Sequence, residues 1–471
     1  MRPFSNDGQR AETYAVRVLA ILSVLLLGAA AGGVVVLRPT RSGAHRVAVA
    51  TTISSAWTRS RAELVGSPEP PPAGPASSST SAGRHGRPSI PAARHLEGPA
   101  DRTTLLPRGS TAVNASTTST TTTTIWHDPP GVVTRHGSQL ALNNATFRLV
   151  GGAAPQFTSD QDRNLGCGER MSDEQVSAAL ASQPSGTTFS IWATQRLGFN
   201  RFSGQIDFGP IDRVVHDAES NRQFVVLSLT HQEGYCSDDH WKNEAWYAGG
   251  YTQPDADAGG GTEPLAYAEW VRMIAARYAT SKAVVAYIPV VEPQASTCSS
   301  GSSCWTTASC SPTAAATLLR FYDEVGRIIK RIAPQQMIGS GAGGVGGCGI
   351  KNLDEYRALH SSPYLDLCDL HPYDHSEQGI GATDRSLIDA CTAVGKAAYI
   401  SEWGLKTALA NPACAEPGTR ATLWRSQFDG YVAAGVDGWA LWSFATAVSN
   451  DCSYGVAIGD PVLSGLQQYQ R

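Results

Sequence analysis

No lysine occurs in the first 128 residues and no cysteine in the first 166 of this 471-residue chain. Those two absences divide it. Residues 1–128 carry 13 Arg against 7 acids, a surplus of six positive charges, whereas residues 129–471 carry 24 bases against 34 acids, a deficit of ten. The net charge of -4, with 17% charged and 42% hydrophobic residues, therefore averages two different materials. The acidic C-terminal part has no basic run, which argues against nucleic acid as its partner, because neutralising phosphates takes clustered Lys and Arg. Short C-x2-C spacing is also missing: Cys298, Cys304 and Cys310 stand with five-residue gaps, unlike structural zinc ligands. All ten cysteines lie between Cys167 and Cys452, an even count that fits disulfides made in an oxidising compartment, with their pairing left open. G-x-S-x-G is absent, so Ser401 beside Glu402 is no nucleophile elbow.

One long uncharged apolar run is present, Val18 to Leu37, preceded by Arg2, Arg10 and Arg17 and closed by Arg38. Twenty residues at about 1.5 Å each can cross a hydrocarbon core of about 30 Å. The run reads as a single transmembrane anchor, with residues 1–17 in the cytoplasm. A cleavable signal peptide is the alternative, with Val18 to Gly28 as its apolar region and Ala29-Ala30-Ala31 as the cleavage site. Either one exports the remainder of the chain. Residues 38–128 are rich in Pro, Ser and Thr, as in SPEPPPAGPASSSTSAG and NASTTSTTTTT, and cannot bury enough apolar surface to offset ordering entropy. They read as a disordered tether with a reach of roughly 50 Å. The Thr run is open to O-glycosylation, and Asn114 and Asn144 lie in N-x-S/T sequons.

From Phe147 onward, apolar runs alternate with amphipathic segments. Eight strand candidates begin at Phe147, Thr187, Phe224, Val284, Gln336, Leu365, Ala397 and Gly438, and seven helix candidates with caps and three- or four-residue apolar spacing lie between them. Strict alternation predicts parallel strands covered by helices, and eight pairs predict a closed (β/α)8 TIM barrel over 129–471. One motif competes: Gly341, Gly343 and Gly346 form G-x-G-x-x-G, with Asp366 twenty residues further on, as a dinucleotide site would. No helix signal starts on the third glycine, so a loop after the fifth strand is the favoured reading.

Barrel chemistry sits at C-terminal strand ends. Those ends carry Glu292 in VVEPQ, His371 and Tyr373 in DLHPYDH, Glu402 in SEWG and Trp442 in WALWSF. Two glutamates three strands apart face each other across the mouth, and glycosidic cleavage needs such a pair: one carboxyl to protonate the leaving oxygen, one to attack or to activate water. His231 in LTHQEG faces the same mouth. Trp192, Trp241, Trp246 and Trp403 are candidate sugar platforms or packing residues.

The strand-four Glu-Pro, strand-six His-x-Tyr, strand-seven Ser-Glu-Trp-Gly and strand-eight Trp resemble glycoside hydrolase family 5, the cellulase and β-mannanase group, over about 147–445. WKNEAWYAGGY from Trp241 resembles the loop after strand three in bacterial members. The resemblance implies a retaining double displacement without metal or organic cofactor. Glu292 is then acid/base and Glu402 nucleophile, Tyr373 bonds the nucleophile, His371 joins the acid/base network and Trp442 stacks under the sugar. Carboxyls about 5 to 5.5 Å apart would raise the acid's pKa by mutual repulsion. Two positions depart from the pattern: Val291 replaces the Asn expected to bind a sugar hydroxyl, and Ser190 stands where an Arg would hold the nucleophile ionised, with Arg201 as a substitute. These departures motivate a second reading, a non-catalytic glycan-binding barrel; an exo-glycosidase of the same clan is a third. The expected partners are a saccharide and, through the N-terminal segment, a membrane, with the chain a monomer.

Overall fold

The computed structural model describes residues 131–470 apart from Gln161, Glu169, 255–263, 299–303, Ala308 and 376–378. The anchor, the tether and Asn114 lie outside the described residues. Among the described residues no helix is long and apolar enough to cross a membrane.

Three short antiparallel strands come first: β1 (Val133–His136), β2 (Gln139–Leu142) and β3 (Ala145–Thr146). Asn143 and Asn144 join β2 to β3 with φ of 52° and 66°. Two successive left-handed residues make the tight hairpin turn whose twist suits the flanking strands. The sequence reading begins its strands at Phe147 and misses this small sheet.

The eight strand candidates all become strands of one parallel sheet: β4 (Leu149–Ala153), β5 (Thr188–Trp192), β6 (Phe224–Ser228), β7 (Val284–Ile288), β8 (Met337–Ile338), β9 (Leu367–Asp369), β10 (Ala397–Trp403) and β11 (Val436–Leu441). Every residue in them is buried, as expected where side chains meet the barrel interior on one face and helices on the other. A bridge from Gly339 to Leu367 joins β8 to β9 and closes the barrel. Among the described residues, seven helices of eight or more residues intervene where the amphipathic segments lie. Helix Ala314–Ile332 buries Leu318, Phe321, Tyr322, Val325 and Ile329, one stripe at helical spacing. Helix Asp173–Ala181 starts with a capping box between Ser172 and Gln175.

The small sheet plugs the floor, where the strands begin. Val133, Leu140 and Phe147 join Leu149, Phe224, Met337 and Tyr399 in the barrel interior. Arg135 Nε lies 3.2 Å from Asp366 Oδ1, and Lys330 Nζ 2.7 Å from Asp366 Oδ2. Asp366 is thus a floor residue that also accepts the Ile338 N–H, and the G-x-G-x-x-G segment runs as a loop after β8, with the next helix starting only at Leu353. No dinucleotide cradle forms there.

All ten cysteines are paired, which removes the zinc alternative. Cys167–Cys236 ties the loop after β4 to that after β6, Cys310–Cys348 the loops after β7 and β8, and Cys414–Cys452 the loops after β10 and β11. Cys298–Cys304 closes a turn within the loop after β7, and Cys368–Cys391 pins β9 to helix Ala382–Ala393.

Candidate active site

Glu292 stands just beyond β7, at φ 55°, a left-handed conformation that costs a non-glycine residue on the order of 1–3 kcal/mol and persists only where the surroundings impose it. Two backbone contacts impose it here. Val291 bridges to His231 on the neighbouring strand end, and the Glu292 N–H donates to the Gly341 carbonyl at 2.8 Å. Gly341 has φ of 66°, and a Cβ on it would lie 2.1 Å from the Val290 oxygen, so no other residue fits. Glu402 lies in β10, its side chain turned into the mouth and 11% exposed.

His371 connects the two glutamates. Its Nδ1 lies 3.0 Å from Glu292 Oε1 and 3.6 Å from Glu402 Oε2, while Nε2 lies 2.9 Å from Ser401 Oγ. One oxygen of each glutamate and the imidazole nitrogen all lie within 4.8 Å of one another. Among the described residues this trio is also the one cluster that could offer three ligand atoms to a metal ion. The Tyr373 hydroxyl donates to Glu402 Oε2 at 2.5 Å.

Electrostatics follow from that placement. Burial disfavours a charged His371, but the carboxylates of Glu402, Glu292 and Asp369 outweigh it and raise the imidazole to about 9. Burial likewise pushes Glu292 up, yet the hydrogen bond and charge of His371 more than offset this and leave it below its ordinary value. Glu402 goes the other way: burial, with the repulsion of Glu292 and Asp369, lifts it to about 7 against the pull of His371 and Tyr373. The sequence reading assigns the raised carboxyl to Glu292. Its hydrogen bond from His371 reverses that assignment. Behind Ser401, Asp369 is raised by burial against the opposing Gly341 N–H and the Ser401 hydroxyl. Burial holds His231 below its ordinary value despite Glu292 and Glu233.

An aromatic wall flanks the glutamates. Trp192 lies 6.4 Å from Trp442, 5.6 Å from Tyr235 and 5.8 Å from the His231 ring, centre to centre. Cys167, Cys236 and Leu197 pack behind Trp192 and Trp442. Beneath Glu402, Ser190 and Ser228 line a cavity of about 10 Å³ with Val291 and Trp442, room for about one water. The position read as a candidate for an arginine therefore holds a hydroxyl beside a void. Arg201 does not replace it: its guanidinium lies over the exposed Phe202 ring at 4.5 Å.

Trp403 does not join the site. Neighbours on a strand point to opposite faces, so with Glu402 turned inward Trp403 faces the helices, its Nε1 donating to Gln427 and its ring against Phe428. Trp241 donates to Ser296 and packs edge-on to Trp305, and Trp246 packs with Tyr247, Tyr251, Tyr267 and Phe321. Residues the sequence reading misses are Tyr235, Asp369 and the Ser401 contact to His371. Asp369 is within its reach, since it precedes His371 by two and shares its face.

No family model matches the sequence, and neither does any curated protein. Solved structures do match in shape. The endo-1,4-β-mannanase of Rhizomucor miehei superposes with a TM-score of 0.52 at 14% identity, over 72% of this chain and 98% of that one. This chain has the fold of that mannanase. A glycoside hydrolase family 5 mannosidase from the same organism gives 0.48 at 9% identity, over 72% and 97% of the two chains. A Thermobifida fusca endoglucanase catalytic domain bound to cellotetraose gives 0.44 at 13%, over 68% and 86%. The resemblance read from the strand-end motifs thus holds at the level of the fold.

Proposed function

We propose that this chain is a retaining glycoside hydrolase of the family 5 type, acting on a β-1,4-linked glucan or mannan. The observation that carries the reading is the pair of glutamates, with oxygens within 4.8 Å, at the mouth of a barrel walled by Trp192, Tyr235 and Trp442. That spacing leaves no room for a water between carboxyl and sugar, which favours attack by the carboxylate itself over inversion. Glu402 attacks the anomeric carbon as the glycosidic C–O bond breaks, and the leaving oxygen takes a proton from Glu292. Glu292 then accepts a proton from water, whose oxygen displaces Glu402.

The resting proton sits on His371, 3.0 Å from an ionised Glu292, and passes to the departing oxygen by way of Glu292, so the acid is supplied from an ion pair rather than from an isolated neutral carboxyl. Tyr373 steadies the carboxylate form of Glu402. Trp442, with the buried Trp192 packed beside it, offers a face to the apolar side of a sugar ring, and His231 lies within reach of a hydroxyl. The N-terminal segment and the tether make this an exported, surface-attached enzyme, a reading that the five disulfides support. Hydrolysis of an aryl β-glycoside that persists unchanged in Glu402→Ala would sink the proposal.

A second reading has a specific observation behind it: Val291 and Ser190 leave the mouth without the Asn and the Arg that the resemblance implies, as a non-catalytic glycan-binding barrel would tolerate. Hydrolysis of any β-mannan, β-glucan or xylan by residues 129–471, abolished in Glu292→Gln, eliminates that reading.

A further inference from the structure

Behind the mouth stands a third carboxylate that no step of the proposed reaction uses. Asp369, the last residue of β9, is fully buried. Resting on the glycosidase reading, we infer that Asp369 is a positioning residue for the proton donor, acting through Ser401 to hold the His371 imidazole with a proton on each nitrogen.

The argument is one of counting protons. His371 Nδ1 lies 3.0 Å from Glu292 Oε1, and Nε2 lies 2.9 Å from Ser401 Oγ. An imidazole that donates from both nitrogens makes the Ser401 oxygen an acceptor, so that hydroxyl must give its own proton elsewhere. Were the proton aimed at Nε2 instead, that nitrogen would carry none and the imidazole would be neutral. The Ser401 hydroxyl faces Asp369, whose Oδ1 is buried and makes no hydrogen bond to any described group. An acceptor left in that state draws whatever donor is near, because an unpaired buried oxygen is costly.

No other donor competes for that side of the carboxylate. His360 Nδ1 lies 2.8 Å from the Tyr356 carbonyl, which only accepts, so Nδ1 carries a proton. Burial pushes that imidazole down to about 4 and keeps it neutral, so Nε2 accepts the Ser340 hydroxyl at 2.8 Å. The Ser340 proton is then spent, although its oxygen lies 3.1 Å from Asp369 Oδ2. What Oδ2 does hold is the Gly341 N–H, at 2.8 Å, and the carbonyl of the same glycine accepts the Glu292 N–H, also at 2.8 Å. Asp369 is thus tied to both members of the donor pair, to Glu292 through Gly341 and to His371 through Ser401. The other titratable groups around the imidazole are Glu292 beyond β7, Glu402 in β10 with Tyr373 bonded to it, and His231 beyond β6. Those face the mouth. Asp369 lies beneath it, out of reach of a sugar, and works only through its neighbours.

Asp369→Asn, Ser401→Ala and the double variant test the chain, Asn keeping the shape of Asp without its charge. Two quantities are read: the alkaline limb of kcat/KM on an aryl β-glycoside, and the titration of His371 by nitrogen-15 NMR of the full chain, which needs no turnover. Each single variant should lower both by about one pH unit, and the double variant no further than either single, since both cut one chain. An imidazole unmoved in either single variant overturns the inference. So do shifts that add in the double variant, as those of a charge acting directly through space would. If the wild-type chain hydrolyses no β-glycoside, the glycosidase reading has failed by itself, and the imidazole titration decides between the same results. Should Asp369→Asn fail to fold, Ser401→Ala decides: at pH 8, loss of the Nε2 proton from about half of the molecules upholds the inference, and its full retention overturns it.

Discussion

At the floor of the barrel, Arg135 and Lys330 converge on Asp366, and the Leu140 N–H donates to Asp437, all without a covalent tie. At the mouth, disulfides join the loops after β4 and β6, β7 and β8, and β10 and β11. The difference follows from what each end holds. Asp366 at the floor has two opposite partners, one of them on the small sheet, so pairing there favours the folded state. The mouth gathers Glu292, Glu402 and Asp369 around a single imidazole, an arrangement that favours chemistry and costs stability. Cross-links shrink the unfolded ensemble and offset that cost without placing another group in the cleft.

The comparison can be broken most decisively at Glu402. Replacing it with Ala should lower kcat by roughly 10⁴-fold or more, as losing a nucleophile does, while the melting temperature holds or rises because a buried, repelled carboxyl has gone. A fall in melting temperature would show that the mouth also stabilises the fold. Asp366→Ala should do the opposite. Leaving Arg135 and Lys330 unpaired should cost about 3 kcal/mol in urea unfolding, with turnover per folded molecule unaltered.

Next comes pH. On the proposed mechanism Glu402 must lose its proton to attack, so activity should rise through about 7, and the His371–Glu292 pair must keep its proton, so activity should fall through about 9. A bell in kcat/KM with its maximum near 8 is expected, and an acidic maximum near 5 would contradict the assignment. The smallest effect is that of Ser401→Ala. Removing the hydroxyl that accepts from His371 Nε2 removes a bond to the charged form, so the alkaline limb should move below 9 and narrow the bell.

The barrel is legible in the sequence because strands buried on both faces appear as unbroken apolar runs such as FVVLS and VVAYI, bounded by turns. Glu292 and Glu402 can be found from their place at strand ends. The hairpin escapes because β1 and β2 are four residues each and β3 two, too short for alternation to register, although Asn143-Asn144 carries its turn. Trp403 is misplaced when each strand end is treated as a cluster; the two-residue period already turns it away from Glu402. The owner of the raised carboxyl is not legible at all. It depends on His371 lying 3.0 Å from one glutamate and 3.6 Å from the other, a difference that only packing sets.

Gly131 enters beside the turn at Asn143, and the Gln470 carbonyl accepts the Arg148 N–H just ahead of β4, so both described ends of the chain meet at the plugged face. A fusion partner, resin or biotin joined next to Gly131 or Gln470 would therefore hang below the barrel and leave the mouth open. Immobilised in that orientation, the domain could be washed over an insoluble fibre as a reusable probe.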